Sequence, residues 1–99
     1  MEKRLPIAIV VRLAHVLDPP RNGAEVTYTD NVSAHGARVV SNQPWQTGDV
    51  ARVTCLKDDS TILGKVMYCQ KLVDNRYCIG LNFLERGVAW STYRAYSGT

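Results

Sequence analysis

Turn signals cut the chain into short runs of β-branched or alternating residues, the spacing of an all-β barrel or sandwich. Leu5 to Leu17 is rich in β-branched residues and stops at Asp18-Pro19-Pro20-Arg21-Asn22-Gly23, a strong breaker. Ala24 to Val32 alternates, with Val26, Tyr28 and Asp30 expected on one face and Thr27, Thr29 and Asn31 on the other. After a break at Ala34-His35-Gly36, a third strand is predicted over Ala37 to Ser41, and Gln43 to Asp49 reads as a turn.

Val50 to Leu56 is the fourth predicted strand, placing Ala51, Val53 and Cys55 opposite Arg52 and Thr54. Asp58-Asp59-Ser60 reverses the chain into a fifth strand over Ile62 to Val73. Asp74-Asn75 then has the composition of a two-residue hairpin connection into Arg76 to Phe83. In that last strand Tyr77, Ile79, Leu81 and Phe83 share a face, the cleanest period-2 signal in the chain, and Gly80 between them marks a bulge or a close backbone approach. From Val88 the period changes: Ala89, Trp90, Tyr93 and Tyr96 fall at helical spacing and predict a short C-terminal helix capping one end of the barrel.

Composition narrows the class. Ninety-nine residues make a single domain over 1–99, and 45% hydrophobic against 21% charged residues is a globular balance. The net charge of +3 is slight, far from the Lys/Arg stripe that duplex DNA requires, so DNA is not an expected partner. Cys55, Cys69 and Cys78 are odd in number and form no CxxC pair, which argues against a disulfide framework or a tetrahedral zinc site and for reduced thiols in a cytoplasmic protein. The apolar run Leu5 to Val11 follows Lys3 and Arg4 like a signal peptide, but it contains Pro6, ends at Arg12 and lacks a small-residue cleavage site. It is too short to span a bilayer, so no direct membrane insertion is expected. With only His15 and His35 as histidines and no nucleophile–base spacing, the chain does not read as an enzyme, and no cofactor is expected.

One segment carries more than fold. Thr29-Asp30-Asn31-Val32-Ser33-Ala34-His35-Gly36-Ala37-Arg38-Val39 resembles the [D/N]xSxxG signature of PilZ domains, with Asn31, Ser33 and Gly36 at the fixed positions. Upstream, Arg4-Leu5-Pro6-Ile7 is similar to the Arg-x-Pro-x opening of that family. Downstream, Gln46-Thr47-Gly48-Asp49-Val50 is similar to its Gly-Asp/Glu turn, and Tyr77-Cys78-Ile79-Gly80-Leu81-Asn82-Phe83 to its closing strand. The elements occur in family order over nearly the whole chain. The resemblance implies a six-stranded antiparallel β-barrel of the split-barrel kind with a short C-terminal helix. It also implies a signalling or adaptor domain whose ligand is cyclic di-GMP and whose output passes to a protein partner the sequence does not identify.

The chemistry fits that ligand. Guanine presents O6 and N7 as paired acceptors, and a guanidinium meets that edge or a phosphate with two parallel hydrogen bonds, which a lysine ammonium cannot do. The resemblance assigns ligand contacts to Arg4, Asn31, Ser33 and Gly36, with Lys3 and Arg38 at the margin of the site. Family members that bind the nucleotide carry an RxxxR pair before the first strand. Arg4 fits its second position, and the first falls ahead of Met1. The site is thus either cut within a longer protein or degenerate, and losing one such contact weakens binding roughly ten- to a hundredfold. Because Asn31 lies 27 positions after Arg4, the two halves meet only if the first and second strands pair.

Two other readings are set against this one. A PilZ-like adaptor that binds no nucleotide would act through protein contacts alone. A single-stranded nucleic-acid barrel needs aromatic platforms in a basic groove, whereas Tyr28, Trp45, Tyr68 and Tyr77 are expected to be scattered over core-facing and turn positions.

Overall fold

The computed structural model describes residues 8–17 and 24–84. Lys3, Arg4 and the helix expected from Val88 lie outside the described residues. Six antiparallel strands follow the predicted order: β1 (Val10–His15), β2 (Glu25–Val32), β3 (Gly36–Ser41), β4 (Val50–Cys55), β5 (Thr61–Lys71) and β6 (Tyr77–Phe83). They form a closed barrel with neighbours β1-β2-β3-β6-β5-β4, and β4 returns to β1. Among the described residues there is no helix, and therefore none long and apolar enough to cross a membrane.

Period-2 alternation sends one side of every strand into the lumen. Val11 and Leu13 of β1, Ala51, Val53 and Cys55 of β4 and Ile79 of β6 are fully buried, and Val39, Ile62 and Val66 join them. Each such aliphatic side chain contributes about 1.5–3 kcal/mol of burial. β-branched residues suit this lumen, because their stiff χ1 packs well on a pleated surface. Two crossings make the ring: β3 runs beside β6 from Gly36↔Asn82 to Ser41↔Tyr77, and β1 beside β4 from Val11↔Cys55 to His15↔Ala51.

Three local features depart from the simple alternation. In β2 the register passes from Thr29↔Val39 to Asn31↔Arg38, leaving Asp30 as a bulge residue. The expected pairing of Thr29 and Asn31 on one face is thereby broken: Thr29 is fully buried and Asn31 is half-buried, with Val32 the next residue inside. In β5 a second shift between Val66↔Leu81 and Tyr68↔Gly80 extrudes Met67. The β5–β6 connection spans Val73, Asp74 and Asn75 rather than two residues, closed by the Leu72 amide donating to the Arg76 carbonyl at 2.7 Å. Asn75 has a positive φ of 68°, the left-handed residue that ends a three-residue hairpin loop.

Trp45 closes the end of the barrel away from the β2–β3 corner. Its indole stacks on His15 with centroids 5.3 Å apart and planes 9° from parallel. Its Nε1 donates to Ser41 Oγ at 3.1 Å, and Ser41 Oγ donates in turn to Glu25 Oε1 at 2.7 Å. His15 Nδ1 accepts from the Leu17 amide at 3.3 Å, and its Nε2 lies 3.5 Å from Asp49 Oδ1.

Candidate functional site

The signature residues fold into the corner between β2 and β3. Ser33 turns the chain: its amide donates to the Gly36 carbonyl at 2.8 Å, its Oγ reaches the same carbonyl at 3.3 Å, and the His35 amide donates back to Oγ at 3.4 Å. The hydroxyl is thus committed to the turn, and Ser33 is only 2% exposed. The two signature side chains part here: Asn31, just past the Asp30 bulge, is half-exposed, while Ser33 is buried and closes the turn.

Gly36 is fixed by crowding. A Cβ there would collide with the Leu81 carbonyl oxygen of β6, so the glycine lets two strands approach, and it does so without a positive φ. The Phe83 amide donates to the His35 carbonyl at 2.8 Å and ties the corner to the end of β6. On the other flank the first strand arrives at the same place. The Ile9 amide donates to Thr29 Oγ1 at 2.9 Å and the Thr29 amide to the Ile9 carbonyl at 3.0 Å. β1 and β2 therefore pair as the site requires, with Ile9 held against Thr29, two residues before Asn31.

Arg38, opposite Asn31 in the ladder, is a half-exposed outward arginine. Its Nε donates to Asp30 Oδ1 at 2.8 Å. The hydrogen bond that Arg38 donates to Asp30, working against desolvation and with Asp30's charge, lifts the guanidinium pKa well above its ordinary value, and a hydrogen bond with Tyr68 adds to it. The bulge thus supplies the carboxylate that holds the cation. Nearby, burial first and then the charge of Asp30 push the Cys78 thiol up from its usual range.

Sequence reasoning missed the surface beside this corner. Tyr28 and Tyr68, expected among core-facing and turn positions, stand outside the barrel at 36% and 42% exposure. Tyr28 Oη accepts from Arg76 Nη1 at 2.8 Å. Tyr68 borders a groove of about 280 Å³ lined also by His35, Gly36, Met67, Gly80 and Asn82. The parity shift at Met67 set Tyr68 outward, and a run of consecutive large side chains across Val66-Met67-Tyr68 was the one sequence sign of it. Among the described residues no group of three His, Cys, Asp or Glu side chains is placed to hold a metal ion.

Compared with known protein families, the chain matches the PilZ domain over residues 2–89. No curated protein matches it. Among solved structures it is similar to the Bacillus subtilis inhibitor of motility (MotI/DgrA), with a TM-score of 0.67 and 18% identity over 95% of this chain and 46% of that one. The likeness at that identity is one of fold, and the chain spans just under half the length of that protein.

Proposed function

The chain belongs to the PilZ domain family, a family of binding and adaptor modules, and from that premise we propose that it is a cyclic di-GMP receptor that passes the signal to a protein partner. The observation that carries this reading is the meeting of three parts at one rim: the Asn31–Gly36 corner, the incoming first strand at Ile9, and the Asp30-held guanidinium of Arg38. Arg4 lies five positions before Ile9 in sequence, and an extended chain advances about 3.3–3.6 Å per residue, so a guanidinium from that arm is within reach of the corner. In this reading Arg4 and Arg38 meet phosphate or guanine edges, Asn31 gives a short polar contact, and Gly36 lets β3 and β6 close up beneath the corner. Lys3 adds charge without the fork.

Binding at this rim alters the surface offered to a partner, and the signal passes on through that change. Isothermal titration of cyclic di-GMP tests the reading. Measurable binding that falls at least roughly tenfold in Arg4→Ala is expected. Absence of heat at high micromolar ligand, with a folded protein, overturns it and leaves the nucleotide-free adaptor.

A further inference from the structure

The outward side of β1 carries Val10, Arg12 and Ala14, and the ladder fixes what stands beside them. Val10 pairs with Tyr28, Arg12 with Val26 and Thr54, and Ala14 with Arg52. The Leu56 amide donates to the Val10 carbonyl at 3.2 Å and brings Leu56 alongside. Apolar side chains are left in water here: Val10 is 53% exposed, Val26 64% and Leu56 37%. Adjacent apolar side chains kept in solvent mark an interaction surface.

Cations cross the same face on the diagonal. Arg12 on β1, Arg52 on β4 and Lys65 on β5 each stand one strand over and two residues along, since Arg12 pairs with Thr54 and Lys65 with Val50. Diagonal neighbours in a sheet lie roughly 7–8 Å apart, so three positive charges form a line beside Val10 and Val26. Strands β1, β4 and β5 contain no Asp or Glu. Among the described residues none of these three cations has an ion pair, whereas Arg38 and Arg76 each hold an aspartate. The carboxylates of β2 are taken up elsewhere, Glu25 by Ser41 and Asp30 by Arg38. Asp58 and Asp59 belong to the β4–β5 turn, where Asp58 accepts from Ser60.

Because the barrel is closed, β1 and β4 have no free edge to which a strand could add. A partner must read this face through side chains alone, and an amphipathic helix does so. Its apolar strip covers the exposed aliphatic groups, and carboxylates one turn apart, about 5.4 Å along its axis, meet the line of cations. Three cations are fewer than the roughly four to eight that hold a protein to an anionic membrane. The one aromatic beside them, Tyr28, has its hydroxyl bonded to Arg76, and a single ring makes no stacking platform for a nucleic-acid strand. Resting on the adaptor part of the reading above, we propose that the outward face of β2, β1 and β4 docks an acidic amphipathic helix of a protein partner. Arg12, Arg52 and Lys65 make the charged contacts, Val10, Val26 and Leu56 the apolar ones, and the nucleotide is not required.

The probe is a stapled synthetic peptide of about five helical turns, with glutamates on one side and leucines on the other. Titrated to millimolar concentration, it is expected to shift the backbone amides of β1, of Val26 and of Arg52 to Leu56, less so at high salt. Arg12→Glu combined with Arg52→Glu is expected to weaken it roughly tenfold or more. The same variant should now bind the peptide that carries lysine in place of glutamate. Arg12→Glu alone, at an exposed position, gives the same direction if the pair fails to fold. No shift on this face, binding that survives the reversal, or equal binding of a glutamate peptide whose leucines are serine overturns the docking surface. So do shifts that grow with protein concentration alone, which mark a second copy, and a response confined to phosphatidylglycerol vesicles or oligothymidine. Cyclic di-GMP is titrated in parallel. Nucleotide binding with a silent peptide overturns the docking surface and spares the receptor; peptide docking without nucleotide binding supports the surface and leaves the nucleotide-free adaptor. Silence from both overturns both.

Discussion

Asp30 and Arg38 are joined by a 2.8 Å bond because β2 carries one residue too many at that point. Without the bulge, parity would set Asp30 and Asn31 on opposite faces; with it, the carboxylate stands beside the arginine that faces Asn31. The pair is well exposed, with side chains 40% and 37% accessible, so solvent screening limits its worth to about 0–1 kcal/mol. Asp30→Asn is therefore expected to change the urea midpoint little while loosening Arg38. Cyclic di-GMP affinity should drop several-fold, and a drop in stability well beyond about 1 kcal/mol would show that the carboxylate serves the fold instead.

Gly36→Ala tests the crossing of β3 over β6. The added methyl meets backbone, the Leu81 carbonyl, which cannot rotate away, so a loss of about 1–3 kcal/mol is expected from overpacking. Gly80→Ala meets only a side chain, Tyr68, which can swing aside. Urea unfolding should show Gly36→Ala as the costlier of the two; the reverse order would contradict the packing described.

At the far hairpin, Asn75 holds its left-handed φ of 68°. Asparagine tolerates that region better than residues without a short polar side chain. Asn75→Ala is expected to lower stability by about 1 kcal/mol and Asn75→Gly to leave it unchanged or raise it. Thermal melts of the three proteins decide; equal stability of the alanine variant would count against the loop geometry.

Cys78 gives a pH signature. Its folded-state pKa is raised, first by burial, so the folded protein holds the thiol proton more tightly than the unfolded chain does. The stability this adds is complete below the unfolded thiol pKa, about 8.5, and is lost as pH rises past that value toward the raised one. Cys78→Ala should flatten that alkaline decline. Iodoacetamide should label Cys78 only as fast as the barrel opens, and rapid labelling at pH 8 would refute its burial.

The strands were legible because a lumen lined by one side of each strand writes its period into the sequence. Val11 with Leu13, Val53 with Cys55 and Ile79 with Leu81 all sit inside as the alternation predicts. The bulges at Asp30 and Met67 were hidden for the same reason: one inserted residue leaves local alternation intact and changes only what lies beyond it. The hairpin was misjudged by one residue because Asp74-Asn75 satisfies the composition of the shorter turn, while Val73 joins the loop at full exposure. The corner could be found as a motif, but the commitment of Ser33 to its own turn and the groove beside Tyr68 depend on how β3, β5 and β6 align, which no local pattern records. The His15–Trp45 stack joins residues 30 apart in sequence and was equally out of sight.

Because β1 is laced to β2 on one flank and to β4 on the other, with Val11 matched to both Thr27 and Cys55 and Leu13 to both Glu25 and Val53, it works as the keystone of the ring. Whatever grips or releases the segment ahead of Ile9 pulls on two neighbours at once. A load applied there is shared around the circumference in both senses, so anchoring of that arm would be felt as a stiffening of the whole hoop and not of one seam.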